Sequence, residues 1–456
     1  MLTPVSEGTQ KSKILISAYA CRPGMGSDPG VGWNTVREMA KYYEVWVLTR
    51  IDNRQSIEAE ISKHPISELE FVYFDLPGSN WWKIGLAGVH IHYYLWQVWA
   101  YFLGRKLHAE IGFDIVHHVT YVSYTSPSFL SFLPIPFIWG PIGGGESAPN
   151  TFWQDFNLNG KIYEKARDFI RWFKGGDPFV KMTAKKSVLA WGMTEDTLRQ
   201  LQKIGAPKVE ILSPIGLSAE EITRLAQHGI PDASPVRFIS IGRLLHWKGF
   251  HLGLKAFAQA ALTDSEYWIV GDGSERKRLQ ALAEQLGIAK QVKLCGKLPR
   301  EEIFQLLGQC HVLVHPSLHE SGGFVCMEAM AAARPVICLD LGGPAVQVTK
   351  DTGFKIAAHT PEQAIGDLAE AMTCLAKDSN LRINMGKAAQ KRAEEVFAWD
   401  MKGKFMAQHY EEILTSQKPL ISESGIDSGK VASEIITSES AVQSLNGEMI
   451  TGVQEK

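Results

Sequence analysis

Residues 311–340 read HVLVHPSLHESGGFVCMEAMAAARPVICLD. The apolar run ending at His315 has the length of a buried strand, Ser317 to Gly323 read as a loop, and a helix is expected from about Phe324 to Ala333, where Arg334 and Pro335 stop it. PVICLD then begins another strand. The first N–H groups of such a helix have no intrahelical partner, and Gly322 and Gly323 leave them open to close approach, so the helix mouth suits a phosphate. Glu328 lies about a turn into the helix, where its carboxylate can accept hydrogen bonds from sugar hydroxyls, and Glu320 on the loop can do the same for a second sugar. Spacing alone leaves the plainer reading open, in which Glu320 is a capping or surface acid and Glu328 a solvated helix residue.

The same alternation extends on both sides. From Pro235, VRFISIGRL, YWIVGDG, VKLCGKL, HVLVHPS and PVICLD are strand-like, with helical KGFHLGLKAFAQAAL, SERKRLQALAEQLGI, EEIFQLLGQ and CMEAMAAA between them. Nearer the N-terminus KILISAYA, EVWVLTR, LEFVYFDL, DIVHHVTY and IPFIWG are strand-like, and WNTVREMAKYY reads as a helix after the loop CRPGMGSDPGVG. Such alternation predicts α/β architecture, with two Rossmann-like, doubly wound domains joined near SPIGLSAEE and a ligand cleft at their strand ends. The expected divisions are 12–215, 216–395, a helix over 396–415 crossing back to the N-terminal domain, and a polar, Ser/Glu-rich disordered tail over 416–456.

At 456 residues the chain is long enough for two domains, and 45% hydrophobic with 21% charged residues is ordinary for a globular protein. A net charge of -2 argues against a non-specific nucleic-acid binder. The six cysteines are scattered with no CxxC pair, which disfavours a zinc site or a disulfide framework. The N-terminal segment has no apolar signal core, and no apolar run reaches the roughly 20 residues of a spanning helix. A cytoplasmic protein is expected. The aromatic-rich stretch Trp81 to Leu107, broken by Lys83, His90, His92 and Gln97, suits a helix packed in a core in preference to one at a membrane surface.

Two glutamates with seven residues between them, the first preceded by HPS and followed by EAM, which holds the second, and by RPV, resemble the signature of family 4 retaining glycosyltransferases. The resemblance implies a GT-B fold whose C-terminal domain holds a nucleoside diphosphate sugar, UDP- or GDP-linked, without metal or other cofactor. It gives Glu320 the donor sugar, Glu328 the ribose hydroxyls, and the backbone of Gly322, Gly323 and Phe324 the donor sugar and phosphate. SIGRLLHWKGF resembles the family's diphosphate-binding element, with Arg243 and Lys248 as the two cations. Gly271 and Gly273, an otherwise weak GxG turn, and Leu298 would lie near the base. LGGPAVQV resembles the family's glycine loop, although Val346 stands where Glu is common. SPIGLS departs from the usual PNGVD at Ile215 and Ser218.

The N-terminal half matches at the level of the fold. Gly26, Gly30 and Gly32 precede a helix and form either a phosphate or acceptor contact or a plain turn. His117 or His118 would contact the donor sugar, with His118 preferred, although Val119 occupies the family's second histidine place. WGPIGGGESAP, with Gly143 and Glu146, is either an acceptor-side loop or a crossover. Residues 161–186 mix Lys and Arg with aromatics, as in an ordinary solvated helix or one resting on an anionic membrane surface. The resemblance implies transfer to a saccharide or lipid-linked acceptor, in cell-surface polysaccharide or glycolipid synthesis, at the inner face of the plasma membrane. A GT-B epimerase or phosphorylase, or a non-catalytic nucleotide-binding protein, are the alternatives.

Overall fold

The computed structural model describes residues 11–76, 85–229, 231 and 234–417. The chain forms two units, Met1–Leu414 and Thr415–Lys456, and only the first three residues of the second, 415–417, are described. The expected signal-free N-terminus, the start of the aromatic stretch at Trp81 to Ile84, and nearly all of the expected tail lie outside the described residues.

The first unit is built on two parallel sheets. One contains β1 (Lys13–Ser17), β2 (Glu44–Arg50), β3 (Leu69–Phe74), β4 (Ile115–His118), β5 (Phe137–Ile142), β6 (Ser187–Gly192) and β7 (Val209–Ile211), in the order β3-β2-β1-β4-β5-β6-β7. The other contains β8 (Val236–Ile241), β9 (Ser265–Val270), β10 (Val292–Gly296), β11 (Val312–His315), β12 (Val336–Leu339) and β13 (Gly353–Ile356), in the order β10-β9-β8-β11-β12-β13. Every strand pair is parallel. In each sheet the strand order reverses, between β1 and β4 in one and between β8 and β11 in the other, the point at which a doubly wound sheet opens a crevice for ligand. Central strands such as β4 and β11 are buried on both faces, β11 as an apolar run up to His315 and β4 with His117 and His118 at its end.

Three strands have little sequence signal. β6 follows a lysine-rich helix, β7 has only three residues, and β13, GFKI, is a short edge strand. The loop expected before WNTVREMAKYY is largely helical, because the helix spans Ser27–Met39 and takes in Pro29, Gly30 and Gly32. A side chain at Gly32 would have its Cβ 2.2 Å from the Ala20 carbonyl oxygen, so this glycine is required where the helix presses on the end of β1.

The helix Gly85–Ile111 buries only one side. Tyr93, Trp96 and Ala100 enter the core, whereas Ile91, Leu95, Trp99 and Phe102 face outward. The helix Trp399–Gln417 returns to the first sheet, where Tyr43 donates to the Ala407 carbonyl and Tyr410 bonds to His117. At the crossover, Leu217 and Phe397 are joined by a 2.9 Å backbone hydrogen bond, and buried Lys402 donates to the carbonyls of Ser213 and Ile215.

Residues 148–157 cross from the first sheet to the second. Phe152 and Phe156 are buried in the same cluster as Phe238, Phe250 and Leu252 of the C-terminal domain. Asp155 accepts from Lys255, and Asn157 donates to Glu275. The segment therefore packs with the C-terminal core although it precedes β6.

Candidate active site

The first helix turn after β11 begins with Gly323 as N-cap at φ +80°, a left-handed conformation that favours glycine. Among the described residues, no hydrogen-bond acceptor is found for the N–H groups of Gly322, Gly323 and Phe324; the first in this turn with one is Cys326, bonded to the Gly323 carbonyl. The glycine loop after β12 braces this mouth from behind, since Gly343 N–H donates to the Glu320 carbonyl at 2.7 Å and Gln347 donates to the Gly322 carbonyl. Neither Gly342 nor Gly343 has room for a side chain against Glu320 and Ser321.

The mouth opens into a cavity of about 410 Å³. Its C-terminal wall includes Gly242, Lys248, His315, Glu320, Gly322–Phe324 and Glu328, and its opposite wall Ser27, Asp28, Val31 and Met193. Lys248 Nζ bonds directly to Glu320 Oε2, with His315 Nε2 3.9 Å from the same oxygen. Burial raises the Glu320 carboxyl, but Lys248, followed by His315, more than reverses this and leaves it below the usual carboxylate range. Burial and the neighbouring Lys248 push His315 down to about 4, so its ring is neutral near pH 7.

Glu328 is held by Arg300, whose Nε and Nη2 both reach Oε1 at 2.9 and 2.8 Å, while Nη1 of the same guanidinium pairs with Glu221. Glu328 Oε2 has no protein partner among the described residues. Burial outweighs Arg300 and leaves the Glu328 carboxyl above its usual value. Ser218 and Glu221 form a capping box, so the crossover serine that cannot replace the family's Asp starts a helix and indirectly fixes Arg300. Ile215 lines the cavity as an apolar wall.

The other expected residues are placed differently. Arg243 is exposed, with no side-chain partner among the described residues, and does not line this cavity. Gly271 and Gly273 permit backbone contact with Gly242 and Leu244, and Leu298 packs against the core. Gly32 is buried in its helix. Val346 lines a separate cavity beside the helix Trp399–Gln417.

His117 and His118 are fully buried, outside the cavity lining. His117 bonds to Tyr410 and to the Gly140 carbonyl at 2.7 Å, and burial lowers its pKa to about 3. His118 Nε2 lies 3.0 Å from the Tyr93 hydroxyl, and burial lowers its pKa to about 4. The structure thus holds both rings in the core and does not bring them to Glu320.

Two contacts were not visible from sequence motifs. Glu146 is buried and accepts from Thr194, Thr197 and Gly144 on its own side and from Ser321, beside Glu320, at 2.6 Å. Glu164 lies within reach of His246 Nε2 at 3.2 Å, His319 Nε2 at 3.4 Å and Arg167 Nη2 at 2.9 Å. Trp247 is stacked between Tyr163 and His319, each ring 5.2 Å away. These contacts anchor residues immediately beside Lys248 and Glu320.

Residues 223–392 match the family model described as Glycosyl transferases group 1. The D-inositol 3-phosphate glycosyltransferase of Corynebacterium jeikeium (strain K411) is 31% identical over 183 residues, which cover 38% of this chain and 42% of that protein. The 2-deoxystreptamine glucosyltransferase of Streptomyces kanamyceticus is 28% identical over 201 residues, covering 43% and 51%. These matches span about half the length of the relatives. Among solved structures, sucrose-phosphate synthase from Thermosynechococcus elongatus has a TM-score of 0.57 at 17% identity, covering 89% of this chain and 100% of the other. Anabaena HepE, described in complex with UDP and glucose, has a TM-score of 0.53 at 17% identity, covering 88% and 100%. The fold is GT-B, and residues 223–392, with Arg243, Lys248, Glu320 and Glu328 among them, are the part of the chain that is similar to the glycosyl transferases group 1 family.

Proposed function

We propose that this protein is a retaining glycosyltransferase that moves a sugar from a UDP- or GDP-linked donor to a saccharide or lipid-linked acceptor. Its setting is cell-surface polysaccharide or glycolipid synthesis, in the cytoplasm at the inner face of the membrane, without a metal ion. The observation carrying this reading is the shared cavity wall of Lys248, Glu320, Glu328 and the N–H groups at Gly322–Phe324. Those N–H groups and Lys248 would take the diphosphate, Glu320 the sugar hydroxyls, and the open Oε2 of Glu328 a ribose hydroxyl.

When the bond from the sugar's anomeric carbon to phosphate breaks, negative charge gathers on the departing diphosphate. Lys248 and the helix-mouth N–H groups would stabilise that charge, with Arg243 as the second cation of the reading. The acceptor oxygen forms the new bond on the same face, and its proton passes to the departing phosphate oxygen. No protein nucleophile is required. Asp28, whose carboxyl burial pushes above its usual range, faces this chemistry from the other wall and would receive acceptor hydroxyls.

A thermal-shift panel of UDP-, GDP- and ADP-sugars tests donor binding, since a ligand bound to the native state raises its apparent stability. Product analysis then separates transfer from epimerisation or phosphorolysis. Glu328→Ala is expected to raise donor KM by roughly tenfold or more. Unchanged donor binding in that variant would refute its assigned role.

A further inference from the structure

The helix Leu158–Gly175 turns its polar side inward. Gly160 and Glu164 are buried, and the Arg167 and Arg171 side chains are only 14% and 18% exposed. The outward side is apolar: Leu158 is 72% exposed, Ile162 56%, Phe169 64%, Trp172 75% and Phe173 73%. Residues 158, 162, 169 and 173 recur at helical spacing on one face, with exposed Lys165 set among them.

The apolar face has neighbours. Ile91, Leu95, Trp99 and Phe102 form an exposed stripe on the helix Gly85–Ile111. Tyr94 of that helix donates to Asp177, which caps the helix Pro178–Lys186, where Phe179 and Met182 are also exposed. Lys174 is close enough to His90 to help burial lower that ring's pKa. Three helices therefore present exposed aromatic and aliphatic side chains in one region, an arrangement that marks an interaction site in a soluble protein.

Charge distinguishes the occupant. Residues 158–186 contain eight Lys or Arg against three Asp or Glu, in a chain of net charge -2. Glu164 is buried, Asp168 lies 3.8 and 3.9 Å from Arg167 and Arg171, and Asp177 is engaged as a cap. The remaining charges are lysines: Lys161, Lys165, Lys174, Lys181, Lys185 and Lys186. Lysine is depleted from protein–protein interfaces but favours the phosphate level of a lipid surface, while Trp and Phe favour the boundary beneath it.

We propose that this face rests on an anionic lipid leaflet, with Trp172, Phe173 and Phe169 at the headgroup–acyl boundary and the lysines at the lipid phosphates. The proposal deepens the membrane placement given above and rests on that placement, independently of sugar transfer.

The test is co-sedimentation of the full chain with phosphatidylcholine vesicles, with and without phosphatidylglycerol. The protein should pellet with the anionic vesicles, remain in solution with the neutral ones, and be released as salt rises. Trp172→Ser with Phe173→Ser, and separately Lys165→Glu with Lys174→Glu, should each weaken binding by about tenfold or more. Turnover of a soluble donor, measured separately, should be unchanged in both variants, and that assay judges the transfer reading by itself. Equal binding to neutral vesicles, or no binding to anionic ones, would overturn the proposal. So would a dimer that is lost in the Trp172/Phe173 variant while vesicle binding is absent, because the face would then belong to a second copy.

Discussion

Lys248 is already bonded to Glu320, so a diphosphate bound beside it must share or displace that carboxylate. Lys248→Ala should lower kcat by roughly 100-fold through loss of leaving-group stabilisation, with a smaller change in donor KM, as steady-state kinetics would show. Glu164 gives a separate acid response. Burial raises its carboxyl, but His246, His319 and Arg167 outweigh burial and hold it at about 2. Arg167 donates to His319 Nε2 at 2.7 Å, which makes that ring nitrogen an acceptor, so His246 and Arg167 are the firmer causes. A depressed carboxyl stabilises the fold above its unfolded value near 4.5, and that contribution is lost as pH falls towards 2. Urea unfolding should therefore show Glu164→Gln losing on the order of 2 kcal/mol near neutral pH, with the gap to wild type closing through that acidic window. Glu320, Glu328 and the glycines between them were legible because they share one loop and helix turn. Glu146 and Ser321 meet across 175 positions of sequence, a proximity created only by the packed domains. His117 and His118 had the right place at a strand end, but their direction into the core depends on neighbours such as Tyr410 and Tyr93.

At the scale of elements, the strand-like runs and their alternation with helices exposed the two-sheet plan because the central strands are buried on both faces and mostly apolar. The helix Ser27–Met39 was harder to bound, since Pro29, Gly30 and Gly32 signal a loop while close packing on Ala20 selects glycine within a helix. Residues 148–157 were harder still. Sequence order puts them with the first domain, yet Phe152 and Phe156 complete the core of the second. Phe156→Ala should cost about 3 to 5 kcal/mol in urea unfolding through the cavity left among these side chains. An exposed control, Phe169→Ala, should cost far less.

At the scale of the molecule, Glu146 crosses from the first sheet's loops to Ser321 on the donor loop, while Glu164 reaches both His246 and His319. Glu146→Ala removes the common acceptor of Thr194, Thr197 and Ser321. It should lower kcat by about tenfold by loosening the loop that carries Glu320, and Ser321→Ala should reproduce the kinetic part with less loss of stability. Comparing donor KM, kcat and urea midpoint separates positioning from unfolding. The helix Leu158–Gly175 stands between these contacts and the surface, its inner residues tied to the donor loops and its outer residues free for lipid. If the leaflet restrains this helix in its donor-binding pose, membrane and nucleotide sugar become reciprocal effectors. Whatever factor the leaflet adds to donor affinity, bound donor adds to leaflet affinity, so a full supply of donor retains the protein on the leaflet and a depleted supply releases it.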